Sequence, residues 1–164
     1  MTTEYRWRGH ERDSIEVLRL DGDRVRSDVS FGSWVWRYEI TLEQWVTRAA
    51  TVGTLTIEHG DDGWVVDGES RPDLAEAVDI DIVLTPFTNT LPIRRHPLEI
   101  GEHADFVMAW VDVPSLEVSA DPQRYTRLDD THYRFDSLDS DFTRDLEVDA
   151  DGVVVRYPGL FDRI

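Results

Sequence analysis

The sequence predicts a mainly β protein. Apolar and polar residues alternate with a period of two over many short segments, and turns rich in glycine and aspartate separate these segments. No linker or low-complexity stretch divides the 164 residues, and a chain of this length buries roughly 70% of its unfolded surface as one unit. We therefore expect residues 1–164 to form a single domain of about a dozen short strands.

The N-terminal half is expected to consist of hairpins. Residues 15–20 and 25–31 alternate on either side of Asp21-Gly22-Asp23, which is a tight-turn sequence. Residues 54–57 and 64–66 flank a second turn at 60–63, and residues 71–73 are expected to be loop. The clearest alternation places five apolar residues on one face of a strand: Trp34, Trp36, Tyr38, Ile40 and Leu42.

The C-terminal half repeats this scheme. Residues 106–113 are apolar on both faces for most of their length, which predicts a central strand that Pro114 ends. The next strand is expected at Leu116 and Val118 and is closed by Asp121-Pro122. Two further hairpins are predicted, one from residues 125–128 and 132–135 and the other from residues 142–148 and 153–157, and the chain closes on residues 157–161.

Two segments carry helix-start signals. Residues 41–44 form a capping-box sequence, although continuation of the preceding strand explains them equally well. Thr85-Pro86 is typical of an N-cap followed by proline at the first helical position. We expect a short helix of about two turns there, stopped or kinked by Pro92.

The chain is strongly acidic. It has 34 acidic and 17 basic residues, every basic residue is arginine, and the net charge is −17. Such a charge repels itself in ordinary buffer, whereas molar salt shortens the screening length to about 3 Å. Because the acids are spread over every turn, we favour adaptation to a high-salt cytoplasm over a nucleic-acid mimic or a cation sink. Nucleic-acid binding is not expected, since it requires a basic face.

Several function classes lack their sequence signals. No apolar run approaches the ~18–20 residues of a membrane span, and the N-terminus has no apolar signal region, so we expect a cytoplasmic protein without a transmembrane segment. There is no cysteine, and the five histidines are scattered without metal-ligand spacing. Phosphate-binding and dinucleotide-binding glycine loops are also missing. We therefore expect neither a metal nor a cofactor.

The most distinctive stretch spans residues 79–95. It reads Asp79-Ile80-Asp81 and then Thr85-Pro86-Phe87-Thr88-Asn89-Thr90-Leu91-Pro92-Ile93-Arg94-Arg95, and it resembles the signature of a glycolipid-binding family. Residues 123–127, residues 149–161 and the early Trp7, Gly9 and Glu11 fit the same family. The resemblance covers nearly the whole chain. It departs in acidity, as a haloarchaeal-like member would, and in His96, where an aliphatic residue is usual.

The resemblance implies a spiral β-roll, in which a long multi-stranded antiparallel sheet wraps around a single short helix. It also implies a homodimer and a structural kinship with lipoprotein-carrier folds. Edge pairing of open sheets offers one route to that dimer. The function implied is non-catalytic binding of a glycolipid or another amphiphile in or near the interior of the roll.

Most of the candidate ligand-binding residues are polar and aromatic side chains of these stretches, and one, a tryptophan, belongs to the apolar strand at residues 106–113. They are Asp81, Asn89, Arg94, Arg95, Trp110, Arg124, Tyr125 and Tyr157. The arginines have planar donor groups suited to a sugar or anionic headgroup, but we favour their structural pairing with nearby acids, for which Asp79 and Asp81 are the expected partners. The aromatic face of Trp34, Trp36 and Tyr38, together with Phe106, Met108 and Trp110, either lines an acyl-chain pocket or is packed core.

The alternative is a hydrolase or isomerase that acts on an amphiphilic or sugar substrate. It would use Asp79 and Asp81 with Arg94 or Arg95. Residues two apart on a strand project about 6.6–6.8 Å apart, within the roughly 5–9.5 Å range used in glycosidic chemistry. Carboxylates are so frequent in this chain that such pairs arise by chance. We therefore favour the binding protein and name no catalytic residue.

Overall fold

The computed structural model describes residues 1–164 and contains fifteen strands and one short α-helix. The first eight strands are β1 (Thr2–Gly9), β2 (Ser14–Asp21), β3 (Arg24–Phe31), β4 (Trp34–Glu43), β5 (Val46–Val52), β6 (Leu55–Gly60), β7 (Gly63–Val66) and β8 (Glu69–Ser70). The other seven are β9 (Ala77–Ile82), β10 (His103–Val111), β11 (Val118–Arg127), β12 (His132–Ser137), β13 (Thr143–Val148), β14 (Val154–Tyr157) and β15 (Phe161–Arg163). Helix α1 (Thr90–Arg95) follows a 3₁₀ turn at Phe87–Asn89, and a second 3₁₀ turn lies at Pro72–Leu74.

All fifteen strands belong to one sheet. The first and last strands, β1 and β15, pair antiparallel near its middle, with Gly9 opposite Phe161. From this pairing, successive antiparallel neighbours run outward to β8 on one side and to β10 on the other. The expected mainly β roll around one short helix is confirmed.

One pair departs from the antiparallel pattern. Strands β9 and β10 are parallel, with Ile80 opposite Ala109, and the 3₁₀ turn and α1 lie in the connection between them. Parallel neighbours need a crossover that brings the chain back to the same end, because a tight hairpin reverses direction. The helix is therefore placed inside the roll by the connection that makes β9 and β10 parallel.

The outer edge of β9 is covered by side chains instead of another strand. The Trp64 indole N–H donates to the carbonyl oxygen of Ala77 at 3.0 Å, and the Ile80 amide donates to the Thr47 hydroxyl at 3.2 Å. Strand β9 thus lies against β5, and the sheet curls into a roll. An edge-paired dimer would have only the two-residue strand β8 as a free edge.

The helix connects two parts of the hydrophobic core. Phe87 and Leu91 pack with the large cluster formed by the N-terminal strands, β9 and β10. Ile93 packs with a second cluster of aromatic and aliphatic residues from β11 to β14. These three side chains are almost fully buried. The helix has six residues, and no helix of the protein is long and apolar enough to cross a membrane.

Proline positions account for two differences from the sequence prediction. Pro92 neither stops nor kinks the chain at the expected place but lies inside α1, in the first turn, where a backbone N–H has no helical acceptor. Pro122 does not close a strand but lies within β11. The carbonyl oxygen of Pro122 accepts a hydrogen bond from the Leu138 N–H, one residue beyond the end of β12. Proline lacks the N–H that would continue the hydrogen bonds between β11 and β12, and it occupies the position where this pairing ends.

Other differences concern strand limits. Residues 41–43 continue β4, so the capping-box interpretation is wrong, and a turn with positive φ at Gln44 and Trp45 leads into β5. Strand β10 is next to the end of the sheet and not central, and only its C-terminal part is deeply buried, where the curled sheet and the crossover cover it. The expected loop at 71–73 contains the start of a 3₁₀ turn, and the final residues form β15.

Candidate functional site

A cavity of about 440 Å³ opens at one end of the roll. We call this the mouth end, and it is formed by the turns at residues 10–13, 32–33, 53–54, 112–117, 138–142 and 158–160 together with the loop at 83–86. Antiparallel hairpins bring alternate turns to the same end of a sheet, and β9 and β10 both finish there. The volume lies within the range of small-molecule sites.

One part of the cavity wall is aromatic. Phe135 and Phe142 have ring centroids 5.9 Å apart, Phe142 and Tyr157 are 6.3 Å apart, and Tyr157 meets Phe161 at 6.2 Å with nearly perpendicular planes. All four rings contact the cavity, as does Trp110. Ring centroids at these distances and tilted planes stabilise one another beyond the area they bury. The wall is therefore a preformed apolar surface.

Two carboxylates form the polar part of the wall. The amide nitrogen of Gln123 donates to Asp81 at 2.6 Å and to Asp121 at 2.7 Å, so both N–H groups of one amide are used by two acids. The other oxygen of Asp81 accepts a hydrogen bond from the Thr88 hydroxyl at 2.8 Å. Asp81 and Asp121 line the cavity, whereas Gln123 is fully buried behind them.

The environment raises the pKa of both acids. Burial raises the pKa of Asp81 to about 6, although the hydrogen bonds from Gln123 and Thr88 act in the opposite direction. Burial also raises the pKa of Asp121, with a smaller upward effect from the charge of Asp139. The carboxyl oxygens of both residues are hydrogen-bond acceptors at the cavity, and a charged acceptor forms a strong hydrogen bond with a hydroxyl donor.

Asn89 and Tyr125 form a second polar element behind the carboxylates. The Asn89 amide donates to the Tyr125 hydroxyl at 2.8 Å, and Asn89 lines the cavity at the start of the helix. Tyr125 is buried, and this burial raises the pKa of its hydroxyl well above the usual value. Tyr125 thus positions Asn89 from beneath the cavity surface.

Four of the eight predicted ligand-binding residues therefore reach the cavity. Asp81, Asn89, Trp110 and Tyr157 line it. Tyr125 touches it only through Asn89.

The three predicted arginines lie elsewhere. Arg95 pairs with buried Asp79 and donates to the carbonyl oxygen of Trp45 at 3.1 Å. Arg94 stacks on the Trp45 ring at 4.2 Å and donates to the Asp151 carbonyl. The third arginine forms a two-pronged surface pair with an acid on the neighbouring strand: Arg124 donates to Asp105 at 2.7 and 3.0 Å. Structural pairing therefore accounts for all three.

The carboxylate pair of the enzyme hypothesis does not share an open site. Asp79 is fully buried and accepts hydrogen bonds from the Thr47 backbone and from Arg95. Burial raises its pKa, and the Arg95 guanidinium acts against that effect. Asp79 does not line the cavity that Asp81 reaches. The arrangement required for an Asp79–Asp81 catalytic pair with an arginine is not present.

The aromatic stripe of β4 and the apolar residues of β10 were expected either to line an acyl-chain pocket or to be packed core, and most of them do not line the cavity. Of the six residues, only Trp110 lines the cavity. Tyr38 and Met108 are packed core, and Trp34 is 69% exposed. Packed core was the right interpretation for the buried part of this stripe. Alternation on a strand identifies a face but does not say whether the curled sheet covers its end.

The sequence analysis missed most of the wall. Phe135 of β12, Phe142 directly before β13 and Phe161 of β15 were not named as site residues, and Asp121 was interpreted as part of a strand-ending turn. One signal is local: Phe142 and Phe161 each directly adjoin a turn at the mouth end. Their convergence depends on the pairing of β13 and β15 with β14, which places both rings beside Tyr157.

A separate carboxyl is buried beneath the loop that borders the cavity. One oxygen of Glu16 accepts hydrogen bonds from the Tyr38 hydroxyl at 2.5 Å and from the Ser27 hydroxyl at 2.7 Å, and its other oxygen has no partner. Burial raises the pKa of Glu16 to about 7, although the hydrogen bonds from Tyr38 and Ser27 act in the opposite direction. Thr85 lines the cavity, whereas Glu16 does not.

No three side chains of histidine, aspartate and glutamate are grouped closely enough to hold a metal ion. The cavity instead combines an aromatic surface with charged hydrogen-bond acceptors. Such a site is suited to a ligand that has an apolar part and several hydroxyl donors.

The fold and the cavity define a class of protein, a β-roll with a small-molecule-sized hollow at one end. Residues 4–163 match the family described as Putative glycolipid-binding, and the chain belongs to this family. Among solved structures, it is similar to a DUF1089 family protein from Pseudomonas aeruginosa known from a crystal structure. That protein is 35% identical, the match covers 92% of each chain, and the TM-score is 0.82. Comparison with curated proteins gives no match.

Proposed function

We propose that the protein binds, without catalysis, a glycolipid whose sugar headgroup is uncharged. The cavity at the mouth end carries this proposal, because it joins an aromatic wall to the two carboxylates Asp81 and Asp121. The apolar part of the ligand packs against the wall, and hydroxyl groups of the sugar donate to the carboxylates. The family description supports the same class of ligand.

The charge of the cavity argues for an uncharged headgroup. Glu11, Asp81, Asp121 and Asp139 all line it, and Arg12 is the one basic residue among its lining residues. The Arg12 guanidinium donates to the carbonyl oxygen of Val113 at 2.8 Å, so it is already engaged. An anionic headgroup would meet like charges at short range, which is unfavourable. A neutral sugar meets acceptors that match its donors.

Binding of a short alkyl glycoside tests this proposal directly. Octyl glucoside and octyl sulfate have the same chain, and below their micellar concentrations they differ only in the headgroup. We expect octyl glucoside to raise the melting temperature and to bind measurably by calorimetry, because a ligand that prefers the folded state stabilises it. Octyl sulfate is expected to bind at least about tenfold more weakly, since it lacks hydroxyl donors and carries a negative charge.

A pair of variants locates the site. Asp121→Asn keeps the size of the side chain but removes the charge, and it should weaken glucoside binding about tenfold through loss of charged acceptors. Asp105→Asn removes a carboxylate of the surface pair with Arg124 and should leave binding unchanged. Equal binding of both octyl compounds, or no effect of Asp121→Asn, would contradict the proposed headgroup site.

We also propose that the protein forms a homodimer. Support comes from the family resemblance, and the exposed two-residue strand β8 is the free edge of the sheet. Light scattering at increasing protein concentration measures the mass in solution. A monomer mass at all concentrations would refute the dimer without affecting the ligand proposal.

A further inference from the structure

The mouth end carries an uncharged rim next to the cavity. Residues 29–36, which include the tip of the β3–β4 hairpin, contain no charged residue, and neither do residues 49–57, which include the tip of the β5–β6 hairpin. Charged residues make up 31% of the chain, and other turns at this end, such as 10–13 and 138–142, are rich in them. The two uncharged tips are neighbours, since β4 pairs with β5.

The β3–β4 tip exposes large apolar side chains. Trp34 is 69% exposed and Val35 is 52% exposed. Consecutive strand residues project to opposite faces, and the core can cover only one of them. Trp34 is on the inward side of β4 but beyond the covered part of that face, and Val35 is on the outward side, so packing within the chain does not account for the exposure of either. Trp36, behind the tip, lies against Gly53 of the adjacent turn, where an added Cβ would stand 2.7 Å from its ring. The neighbouring turn therefore supports the base of the tip.

The tip lies close to the opening of the cavity. Gly9 of β1 and Ser14 of β2 line the cavity, and Ile15 is opposite Ser30 of β3. With neighbouring strands about 4.8 Å apart, the β3–β4 tip is roughly 10 Å from the β1 side of the opening. A lipid that moves from a bilayer into the cavity passes this rim, so the apolar side chains of the rim lie on its route.

We propose that the β3–β4 tip, residues 31–35, docks the protein on an electrically neutral lipid surface so that an amphiphile can pass between that surface and the cavity. This inference rests on the proposed function. Tryptophan is favoured at the boundary between headgroups and acyl chains, and valine adds apolar contact. A lipid bilayer presents no fixed partner shape, which suits a small tip with apolar residues on both faces.

The charge of the protein selects the kind of surface. A net charge of −17 is repelled by anionic lipids, and the acids at 139 and 141 stand on another turn of the mouth end. The two uncharged tips are the part of the mouth end that can contact a membrane without repulsion between acidic side chains and lipid headgroups. Docking on neutral lipid should persist in molar salt, because salt screens charge but strengthens or leaves intact the burial of apolar surface.

Vesicle flotation tests the inference. The full chain is mixed with phosphatidylcholine vesicles, or with vesicles that also contain phosphatidylglycerol, and the floated protein is measured at low and at molar KCl. We expect flotation with pure phosphatidylcholine at both salt concentrations and weaker flotation with the anionic vesicles at low salt. The double variant Trp34→Gln, Val35→Thr should reduce binding to phosphatidylcholine at least about tenfold, since two apolar anchors are lost.

A matched control keeps the result specific. Ile100 is 57% exposed in the loop before β10, at the opposite end of the roll, so Ile100→Thr alters a comparable exposed aliphatic residue. It should float as the wild type does. Equal flotation of the wild type and the double variant, or absence of flotation of the wild type, would overturn the inference. A third result would also overturn it: the wild type does not float, and light scattering shows that the double variant is a monomer where the wild type is a dimer. The tip would then be a contact between copies of the chain.

The two proposals fail separately. The double variant should bind octyl glucoside as the wild type does, because neither residue lines the cavity. Glucoside binding without vesicle docking would refute only the role of the tip. Vesicle docking through the tip without glucoside binding would refute the headgroup site and leave the lipid-surface contact standing.

Discussion

The buried carboxyl of Glu16 should make the protein less stable as pH rises, and Glu16→Gln should remove that dependence. Glu16 is 2% exposed, and its two hydroxyl partners, Tyr38 and Ser27, contact only one of its oxygens. Burial raises its pKa from 4.5 to about 7, which shows that these donors only partly offset the loss of water.

The sign and size follow from proton linkage. Below pH 4.5 the carboxyl is protonated in both the folded and the unfolded state. Between 4.5 and about 7 the folded state keeps a proton that the unfolded state has released, so the free energy of unfolding falls as pH rises. Above about pH 7 the Glu16 carboxyl is ionised in both states, and the full free-energy cost of burying its charge is present. The difference of about 2.5 between the two pKa values corresponds to about 3 kcal/mol.

Urea unfolding across this pH range measures the effect. Wild type, Glu16→Gln and the exposed control Glu58→Gln are unfolded in molar KCl from about pH 5 to about pH 8, the range over which the carboxyl releases its proton. The stability of Glu16→Gln relative to wild type should rise by about 2.5 kcal/mol across the range, since a small part of the cost is already present at pH 5. Comparing the change and not the absolute value cancels any constant cost of the new amide. If the two curves stay parallel within about 1 kcal/mol, Glu16 does not titrate in this way and the reasoning is wrong.

Three further predictions concern the fold. Gly53→Ala should lower the free energy of unfolding, measured in urea, by about 2 kcal/mol or more, because φ is +57° and the new Cβ meets an indole ring. The control Gly32→Ala has φ +58° but open space around it and should cost about 1 kcal/mol. Equal costs would contradict the close approach at Gly53. Asp79→Asn should lower the free energy of unfolding by about 3 kcal/mol, because it leaves the partly buried Arg95 unpaired. Asp105→Asn, in the exposed pair with Arg124, should cost less than about 1 kcal/mol. A small effect at Asp79 would show that its pair is dispensable. The melting temperature should rise from low to molar KCl, since screening relieves a net charge of −17, and a flat curve would refute high-salt adaptation.

Local patterns were sufficient for most strands and turns. Alternation around Asp21-Gly22-Asp23 predicted β2 and β3 within about one residue, because a half-buried strand must alternate along its length. Prolines were less informative. Pro92 and Pro122 both lie within elements, since a proline is tolerated wherever its missing N–H would have no partner, and that depends on neighbours that are distant in sequence.

The candidate site was only partly accessible to sequence analysis. Asp81, Asn89 and Tyr157 were selected from stretches of the family resemblance and Trp110 from an apolar strand, and the structure gathers all four around one cavity. The arginines were selected for their chemistry, and the pair of Arg95 with Asp79 was anticipated because both lie in the same distinctive stretch. The partners of Arg94 and Arg124 lie in a distant loop and on a neighbouring strand, so those two pairs become visible only in the folded protein.

The amino-acid sequence was enough to establish the mainly β class, the short helix after Thr85-Pro86, the acidic surface and the family resemblance. Each of these depends on residues that are near one another in the chain or on composition. The hollow and its rim depend instead on how the sheet curls. Pairing of β9, β10 and β11 brings Asp81 near Asp121, and pairing of β13, β14 and β15 places Phe142 and Phe161 on either side of Tyr157. The curled sheet leaves Trp34 uncovered at the mouth end. The Thr47 hydroxyl accepts a hydrogen bond from the edge of β9 and the Trp64 indole donates one to it, and no local pattern specifies these contacts that hold the curled sheet together.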